Sequence, residues 1–253
     1  ARFIGLLYLV PLIYLLINNQ IIRKYFFRIF LIGILLGIQA FIGWYMVKSG
    51  LVDRVDVSQY RLAMHLTMAF IILGITFQTL LDASFEYTSN KKLPFKTKGE
   101  YLFLLLLFFI FIQIAYGAFV SGTHSGLSFN TWPMYNGYIF PLIENNNLRG
   151  IINFFETREY IIFIHRTFAI LILLLVIYIN YICFKNENMN KIGYLLLIFN
   201  LSFFTQIALG VLMTFQNIPW HLALAHQGNS IILFLVSILM WMLNKKSPQI
   251  NKI

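Results

Sequence analysis

Apolar residues in this chain run in long unbroken stretches, and almost all of the lysine and arginine is gathered in the short segments between them. Runs of about 20 apolar residues match the hydrocarbon thickness of a bilayer. On that measure the pattern predicts spans at 1–18, 29–48, 62–83, 101–122, 159–183, 193–215 and 221–243. Each is expected to be helical, because lipid offers no partners to free backbone groups and the alternative is a closed barrel. Pro11 stands inside the first span and is expected to kink it. The fold class this implies is an all-α polytopic membrane protein with seven transmembrane helices in this chain.

The charges orient these spans. One alternating set of connecting segments holds Arg23, Lys24 and Arg28, then Lys91, Lys92, Lys96 and Lys98, then Lys185 and Lys191, then Lys245, Lys246 and Lys252. The other set holds Lys48, Arg54 and Arg61 mixed with Asp53 and Asp56, then Arg149 and Arg158 in a long loop, then an uncharged turn at 216–220. Basic residues mark the cytoplasmic side, so the chain starts outside and ends inside. Composition agrees: 59% of the 253 residues are hydrophobic and 11% charged, more apolar surface than a soluble domain can hide. A net charge of +10 raises the question of nucleic acid, but its position favours membrane orientation, and no nucleic-acid partner is expected. A lone Cys183 permits no internal disulfide and reads as packing. The chain begins directly in an apolar run, without Met and without a signal-peptide pattern, as a fragment or processed product would.

An internal repeat is visible. QAFIGWYM (Gln39 to Met46) and QIALGVLM (Gln206 to Met213) share the frame Q-x-x-x-G-x-x-M. Each is followed by an outer loop and a helix with an early histidine, His65 in RLAMHLTMAF and His226 in LALAHQGNSI. Membrane proteins often contain such parallel repeats. The position that would match His165 in the first half falls ahead of Ala1. The expectation is therefore eight helices in the full protein, as two pseudo-repeated four-helix bundles. Residues 1–98 would form an incomplete N-terminal bundle and 99–253 the C-terminal one.

Three histidines share one depth. His65 lies four residues beyond Arg61, His165 six beyond Glu159 and His226 six beyond Trp220. At 1.5 Å per residue this is about 6–9 Å inside each helix, from the outer side. Buried imidazoles cost free energy unless partnered; helix-to-helix hydrogen bonding is one outcome, ligation another. Zinc normally seeks four ligands, often carboxylate or thiolate, and only Glu159 lies near this level. A proton relay would favour carboxylates within the spans, which hold little beyond Asp82 at an inner end. Haem fits better, since it needs an apolar slot and axial imidazoles from facing helices. Arg166, next to His165, could pair with a haem propionate or reach the headgroups. His221 at the interface and His124 after the fourth span read as structural. In the loop 123–158, Trp132, Pro133, Tyr135 and Tyr138 suit an interfacial segment that either covers the haem edge or anchors the surface.

Together these segments resemble haem A synthase, in the form without a cysteine pair in its outer loops. The likeness runs along the whole chain and rests on GWYMVKSGL (Gly43 to Leu51), VSQYRLAMHL (Val57 to Leu66), GAFVSG (Gly117 to Gly122), FNTWPMYNG (Phe129 to Gly137), IHRTFA (Ile164 to Ala169) and LALAHQ (Leu222 to Gln227). The resemblance implies two pseudo-symmetric four-helix bundles. It implies a haem b cofactor on His165 and His226, with Arg166 beside them, and substrate haem O on His65, in catalytic position. It implies oxidation of a ring methyl to a formyl group, making haem A for terminal oxidases in a bacterial inner membrane, or secondarily a mitochondrial one. A haem O synthase and an electron-transfer partner would accompany it. The family's own His-Arg pair and loop glutamate are expected upstream of Ala1. An electron-transferring membrane cytochrome b without haem-modifying activity is the alternative; a transporter is a third possibility.

Overall fold

The computed structural model describes residues 2–18, 23–50, 56–88, 99–143, 150–185 and 190–244. Among them the secondary structure is helical: α1 (Arg2–Ile17), α2 (Arg23–Gly50), α3 (Gln59–Thr88), α4 (Gly99–Gly122), α5 (Ser125–Ser128), a 3-10 turn (Gly150–Ile152), α6 (Asn153–Glu156), α7 (Arg158–Lys185), α8 (Asn190–Phe215) and α9 (Trp220–Asn244). Six helices, α2, α3, α4, α7, α8 and α9, are long and apolar enough to cross a membrane, and α1 is a shorter apolar helix. The chain is thus an all-α polytopic membrane protein.

The helices correspond to the seven apolar runs but outlast them. α2 begins at Arg23 rather than at 29, and α3 begins at Gln59 rather than at 62. Charged and polar residues continue a helix into the headgroup region at little cost, so hydropathy locates the membrane-embedded part and not the helix end. α1 runs on through Pro11. Several orienting charges, Lys91, Lys92, Lys96, Lys98, Lys245, Lys246 and Lys252 on one side and Asp53, Arg54 and Arg149 on the other, lie outside the described residues, as does the 98/99 boundary expected between bundles.

Residue contacts group the chain into two units, Ala1–Asn90 and Lys91–Ile253. In the first, α2 and α3 pack as an antiparallel hairpin. Near the start of α2 Arg28 pairs with Asp82, which explains the one carboxylate in these spans. Tyr8 of α1 donates to the Ile29 carbonyl at 2.6 Å. At the opposite end of the hairpin Lys48 lies 5.0 Å from the Trp44 ring centre and Arg61 4.9 Å from that of Tyr45. Such cation–aromatic pairs sit well where one side of a residue is apolar and the other wet.

In the second unit α4 packs against both α7 and α9, and α8 against α9. α7 shows how sequence spacing sets this. Ile162, Ile172, Val176, Ile179 and Cys183 are buried, whereas Ile170, Leu174, Ile177 and Tyr181 are exposed. Both sets recur at helical spacing, on opposite faces. The exposed face is as apolar as the buried one, which suits lipid and not water. Where water gives no hydrophobic drive between helices, packing and polar contacts hold them. Phe103, Leu106, Phe199 and Met240 are almost fully buried. Asn180 of α7 and Asn200 of α8 exchange amide hydrogen bonds at 3.1 and 2.7 Å. Asn229 of α9 donates to the Ser202 carbonyl and to Gln206 Oε1, both at 2.8 Å.

Candidate functional site

Each of the three histidines stands within two turns of a helix start and meets the C-terminal half of a neighbouring helix. The contact is built the same way twice. Gln39 Nε2 on α2 donates to the His65 backbone carbonyl on α3 at 3.0 Å and lies 3.4 Å from His65 Nε2. Gln113 Nε2 on α4 does the same to His165 on α7, at 3.0 and 3.3 Å. One turn beyond each glutamine is a glycine that the imidazole lies against. A Cβ placed on Gly43 would sit 3.0 Å from His65 Cε1, and one on Gly117 3.5 Å from His165 Cε1. The third histidine has the same kind of seat: a Cβ on Gly210 of α8 would be 3.3 Å from His226 Cε1 on α9. Here the glutamine differs, because Gln206 turns its Oε1 to Asn229.

The frame Q-x-x-x-G therefore occurs three times, on α2, α4 and α8. Comparison of the α2 and α8 segments had shown only two, and the missed one is QIAYG, Gln113 to Gly117, where Val120 stands in the place of Met46 and Met213. Q-x-x-x-G alone would have been a sufficient search pattern. Its physical content is one helical turn: an amide to hold the facing helix and, below it, a missing side chain that admits a ring.

The steric margins differ, and so should the response to added bulk. Gly43→Ala is expected to displace His65 most, Gly210→Ala to displace His226 less, and Gly117→Ala to be accommodated, since 3.5 Å is ordinary van der Waals contact. In thermal denaturation the expected order of destabilisation is Gly43→Ala, then Gly210→Ala, then Gly117→Ala. The first should cost about 1–3 kcal/mol, as overpacking does.

Nδ1 of His65, His165 and His226 is buried, without a hydrogen-bond partner among the described residues. In His65 and His165 the other nitrogen has only the long glutamine contact, so both rings retain capacity to ligate. His165 and His226 stand on α7 and α9, the two long helices that pack against α4. Among the described residues no cluster of three or more His, Cys, Asp or Glu forms a seat for a bare metal ion. Tyr116, next in sequence to Gly117, stacks on Phe168 and on Phe155, at centroid distances of 6.2 and 6.1 Å.

Arg166 points to the outer segment. It donates to the Phe129 carbonyl at 3.0 Å and the Met134 carbonyl at 3.4 Å, and its guanidinium lies 4.7 Å from the Tyr135 ring centre. The segment presents those carbonyls because it turns back on itself. Asn136 and Gly137 take positive φ, of 51° and 92°, and Tyr135 and Tyr138 bond each other's backbones. Asn-Gly suits such a turn because both residues tolerate this conformation. Tyr135 is buried under the turn; burial pushes its phenol up and Arg166 partly offsets this, so the ring stays neutral. Trp132 and Tyr138 are exposed. The remaining histidines stand apart from these contacts: His124 takes a left-handed turn between α4 and α5, and His221 is exposed and edge-on to Trp220.

Comparison with known proteins agrees along nearly the whole chain. A relative from Wolbachia pipientis wMel named Heme A synthase is 39% identical over 234 residues, covering 92% of this chain and 65% of its own length. One of the same name from Pelagibacter ubique is 37% identical over 233 residues, covering 92% of this chain and 67% of its own. A third, from Flavobacterium johnsoniae, is 33% identical over 257 residues, covering 98% and 72%. The chain thus spans about two thirds of the length of these relatives. The family model described as cytochrome oxidase assembly protein (COX15-CtaA) matches residues 1–238, which include all three histidine seats, and the chain belongs to that family.

Proposed function

We propose that this chain carries the haem sites of a haem A synthase, an oxidoreductase of the bacterial inner membrane that converts the ring methyl of haem O to the formyl group of haem A. The observation that carries the proposal is the seat that recurs three times: an imidazole with an uncommitted nitrogen, held against a glycine, within two turns of a helix start. The residues fit a haem. An axial ligand needs a neutral imidazole, and a bilayer-embedded aromatic and aliphatic surrounding favours that form. The relatives' printed name supplies the reaction, and nothing observed favours an electron-carrying cytochrome b instead.

In this reading His165 of α7 and His226 of α9 hold a haem b cofactor, and His65 of α3 holds substrate haem O. Bound haem iron supplies the redox chemistry. Gly43, Gly117 and Gly210 leave room for the rings to take their places, and the apolar helix faces keep water from the reacting carbon. Arg166 holds the 129–138 segment down and, with donors left over from its two carbonyl bonds, would pair with a propionate. A haem O synthase would deliver the substrate, and a separate electron carrier would complete the oxidation.

The test is the product. Membranes from cells that make haem O and express this protein are expected to yield haem A on extraction, and the His65→Ala protein is expected to yield at least about 100-fold less, since loss of a direct ligand exceeds the usual cost of losing a supporting one. Recovery of haem O alone, from protein that carries haem b and includes the family's upstream His-Arg pair and glutamate, would refute the synthase assignment and leave a cytochrome.

A further inference from the structure

The stretch THSGLSFNTWPMYNGYIFPLI, Thr123 to Ile143, holds no Asp, Glu, Lys or Arg. Its apolar side chains divide into two groups. Phe129 and Tyr135 are buried and pack with Ile162 of α7. Ile139, Phe140 and Leu142 are exposed, at 75%, 66% and 55%. Neighbouring apolar side chains left exposed mark a surface that meets something other than water. The helix beside them says what it is. The Phe140 ring lies 5.9 Å from that of Phe163 on α7. Phe163 is followed at helical spacing by Ile170, Leu174, Ile177 and Tyr181, all exposed, so these residues share one face. That face is the apolar stripe of α7 that suits lipid, and Phe140 continues it beyond the start of the helix. Depth agrees. The α7 span, Arg158–Lys185, has 28 residues, or about 42 Å against roughly 30 Å of hydrocarbon. Centred in a bilayer, it leaves about four residues at each end among the headgroups, which puts Phe163 at the edge of the hydrocarbon.

We propose that residues 138–142 form a tongue that lies in the headgroup layer and inserts the Ile139, Phe140 and Leu142 side chains into the acyl edge of the membrane. The partner of this surface is therefore lipid. The backbone suits that level. Tyr135 and Tyr138 bond each other's backbone groups at 2.7 and 3.1 Å, and Pro141 has no N–H to leave unpaired. The remaining backbone groups meet headgroups and water, which the hydrocarbon interior would deny them. Trp132 and Tyr138, both exposed, are residue types enriched at this boundary. Arg166 ties the base of the tongue to α7 through the Phe129 and Met134 carbonyls, so the helix sets how deep the tongue sits. A docking site for another protein would stand clear of the bilayer, whereas Phe140 leans on the lipid-facing stripe itself. The proposal stands on the membrane spans and not on the haem reading.

The experiment is the depth of a nitroxide at position 140. In the full chain carrying Cys183→Ser, Phe140→Cys is spin-labelled and reconstituted in vesicles of phosphatidylethanolamine and phosphatidylglycerol that hold no other protein. Electron paramagnetic resonance then compares collisions with oxygen, which concentrates among acyl chains, against collisions with a water-soluble nickel chelate. Leu174→Cys, exposed on the same stripe of α7, supplies the hydrocarbon reference and shows that the chain is inserted. Free label in buffer supplies the water reference. Ile139→Cys repeats the reading without disturbing the contact between Phe140 and Phe163. The expected result is more collision with oxygen than with nickel at position 140 and at position 139, with ratios below that of Leu174→Cys. More collision with nickel than with oxygen at position 140 would put the tongue in water, as a surface for a protein partner, and would overturn the proposal. A label shielded from both probes would bury the tongue against protein, a second copy of this chain, and would overturn it equally.

Discussion

Replacing His165 with alanine is expected to leave the purified chain without the Soret absorbance of the haem b proposed for it, and His226→Ala is expected to do the same. Both imidazoles lie in the second unit, on the two long helices that pack against α4. A ring held between two ligands from different helices loses half of its direct attachment when either is removed. The affinity loss should exceed the 10–100-fold typical of losing a supporting group. His221→Ala and His124→Ala should retain the band, since His221 is exposed beside Trp220 and His124 serves a turn outside the spans. Absorbance spectra of the four variants, normalised to protein, make the comparison. A band that survived in both His165→Ala and His226→Ala would rule out this ligand pair.

The outer segment 129–138 should come loose in Arg166→Gln. The arginine makes two charge-assisted bonds to carbonyls, of which the 3.0 Å bond to Phe129 is the stronger, and lies over the Tyr135 ring. A hydrogen bond to a charged group contributes about 1.5–3 kcal/mol, and a cation over an aromatic face about 0.5–2 kcal/mol. Allowing for the long 3.4 Å contact, a loss of about 2–4 kcal/mol is expected. Since 1.4 kcal/mol is tenfold in an equilibrium, the Tyr135 and Tyr138 amides should exchange with solvent at least about 30-fold faster. Arg166→Lys should recover little, because an ammonium cannot span two carbonyls and stack on a ring. Hydrogen–deuterium exchange of that segment reads the effect directly. If haem also anchors to Arg166, the same variant weakens haem retention.

The membrane spans were legible because each is apolar around its whole circumference, so length alone identified them. Their ends were not, because Arg23 or Gln59 continues a helix as readily as a loop at the headgroup boundary. The three histidines were legible from their distance past a helix start, which residue counting supplies. Their supports were only half so. The Gln39 and Gln206 frames were visible as a repeat, but Gln113 was hidden by Val120, and nothing in the spacing told that Gln39 and Gln113 would reach a histidine while Gln206 would reach Asn229. The partners of Arg166 were illegible for a plainer reason. They are backbone carbonyls, presented by a turn whose conformation depends on Asn136 and Gly137.

One spectrum tests whether imidazole nitrogen holds iron at these seats. The oxidised protein, purified with its haem, should give the electron paramagnetic resonance of low-spin ferric haem with two histidine ligands, and that signal should vanish in His226→Ala. A high-spin or thiolate-ligated signal, or a bis-histidine signal unchanged in His226→Ala, would contradict the account.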